Sequence, residues 1–148
     1  MITLTKIFRF ETAHALYGYA GSCSHIHGHS YELHVTVSSR SDEAYIPGQG
    51  FILDFKEIKQ IVSELVISKY DHALLSAAYV NANPFLCSAK NLVLMNAEPT
   101  AENMLIDIRE TLVPAMPETV CLEELKLFET ADSYATWRKN SIRKHPAP

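Results

Sequence analysis

Cysteine is scarce in this 148-residue chain: there are three, at positions 23, 87 and 121. An odd number so widely spaced does not form a disulfide framework, which agrees with a reducing compartment. Glycine is almost as thin, with five residues, and no internal repeat, low-complexity run or long linker breaks the chain, so one domain spanning 1–148 is expected. Long apolar runs are missing too, and Lys6 and Arg9 interrupt the N-terminal stretch. Neither a signal peptide nor a membrane span is expected, which points to a soluble, cytoplasmic protein with no membrane partner. Nor is positive charge in excess. With 13 Lys and Arg against 17 Asp and Glu, the net charge of −4 argues against generic attraction to nucleic acid. One basic run, Arg138, Lys139, Arg143, Lys144 and His145, precedes a Pro-Ala-Pro ending, and residues 138–148 read as a solvated, frayed tail rather than a phosphate site.

What the chain does have is concentrated in Cys23-Ser24-His25-Ile26-His27-Gly28-His29, one cysteine and three of the seven histidines within seven residues. Exposed imidazoles contribute little to packing, so such a cluster points to chemistry. From His27 the residues alternate: His27, His29, Tyr31, Leu33, Val35 and Val37 share one parity, and Gly28, Ser30, Glu32, His34, Thr36 and Ser38 the other. Period two marks a half-buried strand and puts His27 and His29 on one face beside the apolar stripe. Two such imidazoles can reach one ion at about 2.0–2.1 Å, the usual Zn–N distance, and Gly28 between them leaves room for a nearby backbone or ligand.

Upstream, Leu4, Phe8, Phe10 and His14 share a parity that Lys6 interrupts, which reads as a preceding antiparallel strand delivering His14 to the start of the next. Three neutral imidazoles on zinc leave an open coordination position, the catalytic arrangement; Cys23 as a fourth ligand would close the shell and make the site structural. His25 shares the parity of the cluster and is not excluded as a ligand by spacing alone.

Beyond the loop at 38–50, Asp54 is placed to cap a helix with Glu57 three residues on, and Phe55, Ile58, Ile61, Val62 and Leu65 form its apolar face. Asp71 and His72 follow near its end, where a loop is the plainer reading. Residues 76–98 carry helix breakers at Asn81, Asn83 and Pro84, and Leu92–Met95 read as either a short strand or a packed loop. Thr100 caps a second helix bearing Met104, Leu105, Ile108 and Leu112, ended by Pro114 and Pro117, with Glu102 complementing the dipole in the first turn. A third strand runs near Val120–Phe128, its apolar parity ending on Glu129, a carboxylate that must find solvent or a partner. A short strand near Tyr134–Arg138 closes the chain. The order ββααββ predicts an α+β domain, a four-stranded antiparallel sheet with both helices on one face.

Six blocks then stand in order: Phe10-Glu11-Thr12-Ala13-His14; Cys23 and His27-Gly28-His29 three residues apart; Gly50-Phe51-Ile52-Leu53-Asp54-Phe55; Asp71-His72; Pro99-Thr100-Ala101-Glu102-Asn103; and Phe128-Glu129-Thr130. Together, over residues 10–130, they resemble the 6-pyruvoyl tetrahydropterin synthase family, and the Cys23–His27 gap is most similar to its bacterial branch, the 6-carboxytetrahydropterin synthases of queuosine biosynthesis. The resemblance implies the tunnelling fold, in which sheets of three subunits close a barrel and two rings stack into a homohexamer. It implies a lyase acting on 7,8-dihydroneopterin triphosphate, giving 6-carboxy-5,6,7,8-tetrahydropterin, acetaldehyde and triphosphate, or 6-pyruvoyl tetrahydropterin in the sister reaction. By the same resemblance His14, His27 and His29 are zinc ligands, Cys23 is the general base, and Asp71 and His72 are a proton-relay pair from an adjacent subunit. Glu129 corresponds to the carboxylate that holds the pterin edge, with Thr100 and Glu102 as neighbouring contacts. Arg9, Lys56, Lys90 and Arg138 are candidates for the triphosphate. Residues 131–137 depart from common family endings. A reading of another class is a zinc-stapled oligomeric binding protein without turnover.

Overall fold

The computed structural model describes residues 2–41 and 45–139; Arg143, Lys144 and His145 of the basic run lie outside these. Two long strands, β1 (Thr3–His14) and β2 (His27–Ser39), pair antiparallel along their whole length, with Phe8 opposite Leu33 and His14 opposite His27. The pairing places the even residues of β1 and the odd residues of β2 on one face. That face is the core: Phe8, Phe10, Tyr31, Leu33, Val35 and Val37 are all buried. Lys6, which breaks the apolar parity, lays its ammonium over the Phe55 ring at 5.8 Å from the centroid.

The chain continues through α1 (Phe55–Val62), a wide π turn at Ser63–Ile67, α2 (Ser68–Tyr70), β3 (Ala73–Ser76), α3 (Tyr79–Ala82), β4 (Leu92–Leu94), α4 (Ala101–Leu112), β5 (Val120–Phe128) and β6 (Tyr134–Arg138). The sheet therefore has six strands, in the order β4-β3-β1-β2-β5-β6, and it is mixed, because β3 runs parallel to both β1 and β4. This corrects the expectation of four antiparallel strands. β3 and β4 are four and three residues long, too short for alternation to show; β3 is recruited by pairing against the last residues of β1, and β4 by pairing against β3. The short strand expected near 134–138 is β6; Arg138, also expected to head the tail, closes it and pairs with Glu124 at 2.5 Å.

Both main helices pack onto the core face. Asp54 caps α1 by accepting from the Lys56 amide at 2.7 Å, and Thr100 caps α4 by accepting from Asn103 at 3.3 Å. On α4, Met104, Leu105, Ile108 and Leu112 are buried as their spacing predicts. The stripe of the first helix differs from its expected one. Ile58, Val62, Val66 and Tyr70 are buried at intervals of four, while Phe55 and Leu65 are exposed. A stripe with period four drifts around an ordinary α-helix of 3.6 residues per turn, and the wide turn at Ser63–Ile67 takes up the difference. Leu65, in step with an ideal helix, is thereby turned outward. The register of β5 also slips once, at Thr36/Val37, so its buried residues change parity from Val120 and Leu122 to Leu125 and Leu127.

Ile108 is wholly buried between helix and sheet. Ile108→Ala is expected to cost about 2–5 kcal/mol in urea unfolding; a loss under about 1 kcal/mol would mean this layer is not packed as described. No helix is long and apolar enough to cross a membrane among the described residues.

Candidate metal centre and adjoining cavity

The antiparallel register brings the end of β1 to the beginning of β2. His14 faces His27, Thr12 faces His29, and parity turns all three imidazoles to the core side. Their ligand atoms lie within 4.8 Å of one another, the only such group of three among the described residues. Gly28 leaves the space the sequence suggested: a Cβ there would come to 3.3 Å from the Thr12 carbonyl on the neighbouring strand.

The hydrogen bonds around the rings fix their tautomers. His14 donates from Nδ1 to the Pro99 carbonyl at 2.6 Å, and His27 donates from Nδ1 to the His25 carbonyl at 2.8 Å. Each Nε2 of a neutral ring is then left with its lone pair, and these two atoms stand 3.0 Å apart. The His29 Nε2 is buried without a hydrogen-bond partner and lies 3.6 Å from a Glu129 oxygen. Two lone pairs facing each other, with a third ring nitrogen left unpartnered beside them, repel unless a cation shares them. A tetrahedral ion bound at about 2.0–2.1 Å by each nitrogen spaces its ligands roughly 3.3 Å apart; the His14–His27 pair at 3.0 Å is close to that, and all three lie within 4.8 Å of one another. The residues fit such an ion, and the carbonyls of Pro99 and His25 are the outer partners that orient metal-ligating histidines. Burial lowers the His14 pKa, outweighing its bond to Pro99 and reinforced by His27, so the ring is kept in its neutral, ligating form. His25 is exposed and stands outside the group; its backbone, not its ring, serves the site.

Beside the histidines opens a cavity of about 300 Å³. His14, Cys23, Thr100, Glu102 and Glu129 all line it, with Ser133 and Tyr134 from the segment that departs from common family endings. Cys23 sits in a single 3-10 turn, Ser22–Ser24, tied back where the Leu16 amide donates to its carbonyl at 2.9 Å. The thiol is free and half-buried, and it is not part of the three-histidine group. Glu129 follows β5 on the buried parity and does find a partner: the Tyr31 hydroxyl donates to it at 3.3 Å. Burial first, then the Glu129 charge, raises the Tyr31 pKa and keeps the phenol protonated as that donor.

Asp71 and His72 are elsewhere. Asp71 accepts from the Glu11 amide at 2.9 Å and stands 3.1 Å from His72 Nδ1. The Glu11 amide and then His72 lower its pKa against the opposing effect of burial, so the carboxylate stays charged. His72 has φ +58, a left-handed conformation unusual for a residue with a side chain, and its side chain is 79% exposed. His72 lines a second, more open cavity of about 580 Å³ with Glu11, Ala13, Gly28 and Ser30, which belong by parity to the other face of the sheet, and with Thr12 and His29 of the histidine face. The single chain thus brings five of the predicted residues to one cavity and leaves this pair outside it, His72 sharing the second cavity with His29. Neither Arg9, paired with Glu32 at 2.5 Å, nor Lys56, Lys90 or Arg138 lines the first cavity. Tyr31 and the Pro99 and His25 carbonyls were not singled out by the sequence. Tyr31 was visible as the next residue on the histidine parity, whereas a carbonyl's role leaves no trace in residue type.

Strand order, histidine cup and adjoining thiol and carboxylate together define a metal-competent cavity built at one end of the two central strands of a mixed sheet. The 6-pyruvoyl tetrahydropterin synthase profile matches residues 3–140. The chain belongs to that family. It is 24% identical over 139 residues to a Rickettsia felis protein named 6-carboxy-5,6,7,8-tetrahydropterin synthase, covering 90% of this chain and 98% of that one. It is 29% identical over 147 residues to a Dictyostelium discoideum protein named 6-pyruvoyl tetrahydrobiopterin synthase, covering 93% and 96%. Among solved structures, Caenorhabditis elegans 6-pyruvoyl tetrahydropterin synthase superposes with a TM-score of 0.66 at 21% identity, covering 94% and 96%. The uncharacterized protein WS1659 from Wolinella succinogenes does so with a TM-score of 0.72 at 18% identity, covering 94% and 98%; at these identities the likeness is one of fold.

Proposed function

We propose that this protein is a zinc-dependent lyase that converts 7,8-dihydroneopterin triphosphate and water to 6-carboxy-5,6,7,8-tetrahydropterin, acetaldehyde and triphosphate, a step toward queuosine. The observation that carries this reading is the convergence of three imidazole nitrogens beside a cavity that also holds a free thiol and a half-buried carboxylate. The names of the Rickettsia relatives support the carboxy product. Zinc held by His14, His27 and His29 supplies a Lewis acid that acidifies the hydroxyls of the substrate side chain and the adjoining C–H bonds.

The chain's own residues do the rest. Glu129 accepts from the N–H edge of the pterin, where two donors suit a carboxylate, and the Tyr31 hydroxyl holds that carboxylate in place. Thr100 and Glu102 line the same wall as neighbouring pterin contacts. Cys23 takes the proton from the side-chain carbon facing it. Asp71 orients His72, whose ring enters the site of an adjoining subunit and relays protons there. A ring of subunits suits the open sheet edges: the outer edge of β1 is covered by β3 only at Thr12–His14, and β6 is the other edge. The proposed assembly is a homohexamer of two stacked trimers, and three unpaired cysteines suit the cytoplasm.

A second reading, 6-pyruvoyl tetrahydropterin as product, is favoured by the name of the Dictyostelium relative. The two separate in one assay: incubated with dihydroneopterin triphosphate, the protein is expected to release acetaldehyde in step with triphosphate. Pyruvoyl product with no acetaldehyde would overturn the proposed reaction and leave the second. The non-catalytic, zinc-stapled reading needs Cys23 on the metal, and the position of Cys23 outside the three-histidine group counts against it.

A further inference from the structure

We infer that Glu98 is a positioning residue for the metal centre, acting through the Pro99 carbonyl on His14 and through the loop that carries Cys23. This rests on the reading of the three histidines as metal ligands, but no part of that reading involves Glu98. The carboxylate is half-buried and makes no ion pair among the described residues. Instead its two oxygens accept from backbone amides of two separate loops, Tyr17 at 2.8 Å and Ala78 at 3.1 Å. Its own carbonyl is held as well, accepting from the Thr100 amide and from the Asn103 side chain, both at 2.8 Å.

The consequence is a clamp one residue wide. Glu98 precedes Pro99, whose carbonyl accepts from the His14 Nδ1–H at 2.6 Å and thereby leaves Nε2 free to ligate. Tyr17, which Glu98 holds, follows Leu16, whose amide reaches the Cys23 carbonyl at 2.9 Å. One side chain therefore ties together the tautomer-setting carbonyl, the loop after β1 that anchors the thiol turn, and the loop after β3. An isosteric amide cannot do this. Glutamine offers one acceptor oxygen, and its NH₂ would face the second backbone N–H donor to donor.

The test uses full-length protein and metal alone. Glu98→Gln is expected to keep its far-ultraviolet spectrum but to bind zinc about tenfold more weakly, the low end for loss of an outer partner of a metal ligand. Cobalt loaded in place of zinc is expected to show shifted visible bands, because the His14 ring is less firmly aimed. Asp107→Asn, which weakens the distant Lys69 and Tyr70 contacts, serves as a control for a general loss of stability and is expected to leave affinity and bands unchanged. Wild-type zinc affinity and cobalt bands in folded Glu98→Gln would overturn the inference, as would an equal loss in Asp107→Asn. If Glu98→Gln does not fold, Glu98→Asp, too short to span both amides, takes its place, and failure of both to fold would make Glu98 a fold staple and overturn the inference. Should wild-type protein bind no metal, or His27→Ala retain it, the reading of the histidines falls instead, which is a separate result.

Discussion

Cys23→Ala is expected to lower kcat by about 10²–10⁴-fold, the range for removing a general base, while zinc stays bound at wild-type stoichiometry. The expectation follows from where the sulfur is. Cys23 lines the same cavity as His14 and Glu129, yet it lies outside the group of three nitrogens that converge on the metal position. Its turn is anchored through its backbone rather than through its thiol, so alanine removes the chemistry and leaves the loop in place. A paired measurement of metal content and turnover checks it. Loss of zinc together with activity would put the sulfur on the metal and replace the enzyme by the zinc-stapled protein.

The second large effect is a recovery. Cys23→Ala and His72→Asn are each expected to be nearly inactive alone, but co-assembled in equal amounts they should regain about a quarter of wild-type activity, because random mixing gives both intact residues to one site in four. Asparagine is chosen since it tolerates the left-handed backbone at position 72 while lacking a titratable ring. The reasoning is geometric. His72 has a positive φ, is pinned by its amide to the Glu11 carbonyl at 2.6 Å, leaves its side chain 79% exposed and does not line the cavity that holds Cys23. Mixed oligomers, verified by mass, that show no recovery would mean that His72 serves the Cys23 of its own chain or serves none.

The readable and unreadable parts of the chain divide along physical lines. The alternation of His27 to Val37 predicted β2, its buried face and two of the three converging rings, because a period of two repeated over eleven residues leaves few other conformations. Caps at Asp54 and Thr100 were equally plain, since each needs only a side-chain oxygen one turn from a free amide. The strand at 73–76 was not, and the one at 92–94 read equally as a packed loop, both being shorter than the pattern that would announce them. Leu65 was misplaced for a related reason: helical spacing was counted on an ideal helix, and the wide turn that shifts the stripe is settled by what Val66 and Tyr70 pack against.

Residue type and spacing alone determined that His27 and His29 share a face and that Glu129 ends an apolar one, because side-chain direction on a strand is a local property; the β1–β2 register set His14 beside them. Tertiary structure decided which nitrogen of each ring is free, since that depends on carbonyls at positions 25 and 99 meeting Nδ1. It also decided that Cys23, Thr100 and Glu129, more than a hundred residues apart at the extremes, line one cavity while His72 does not. Strand pairing and loop closure bring distant groups together, and neither is written in any one stretch of the chain.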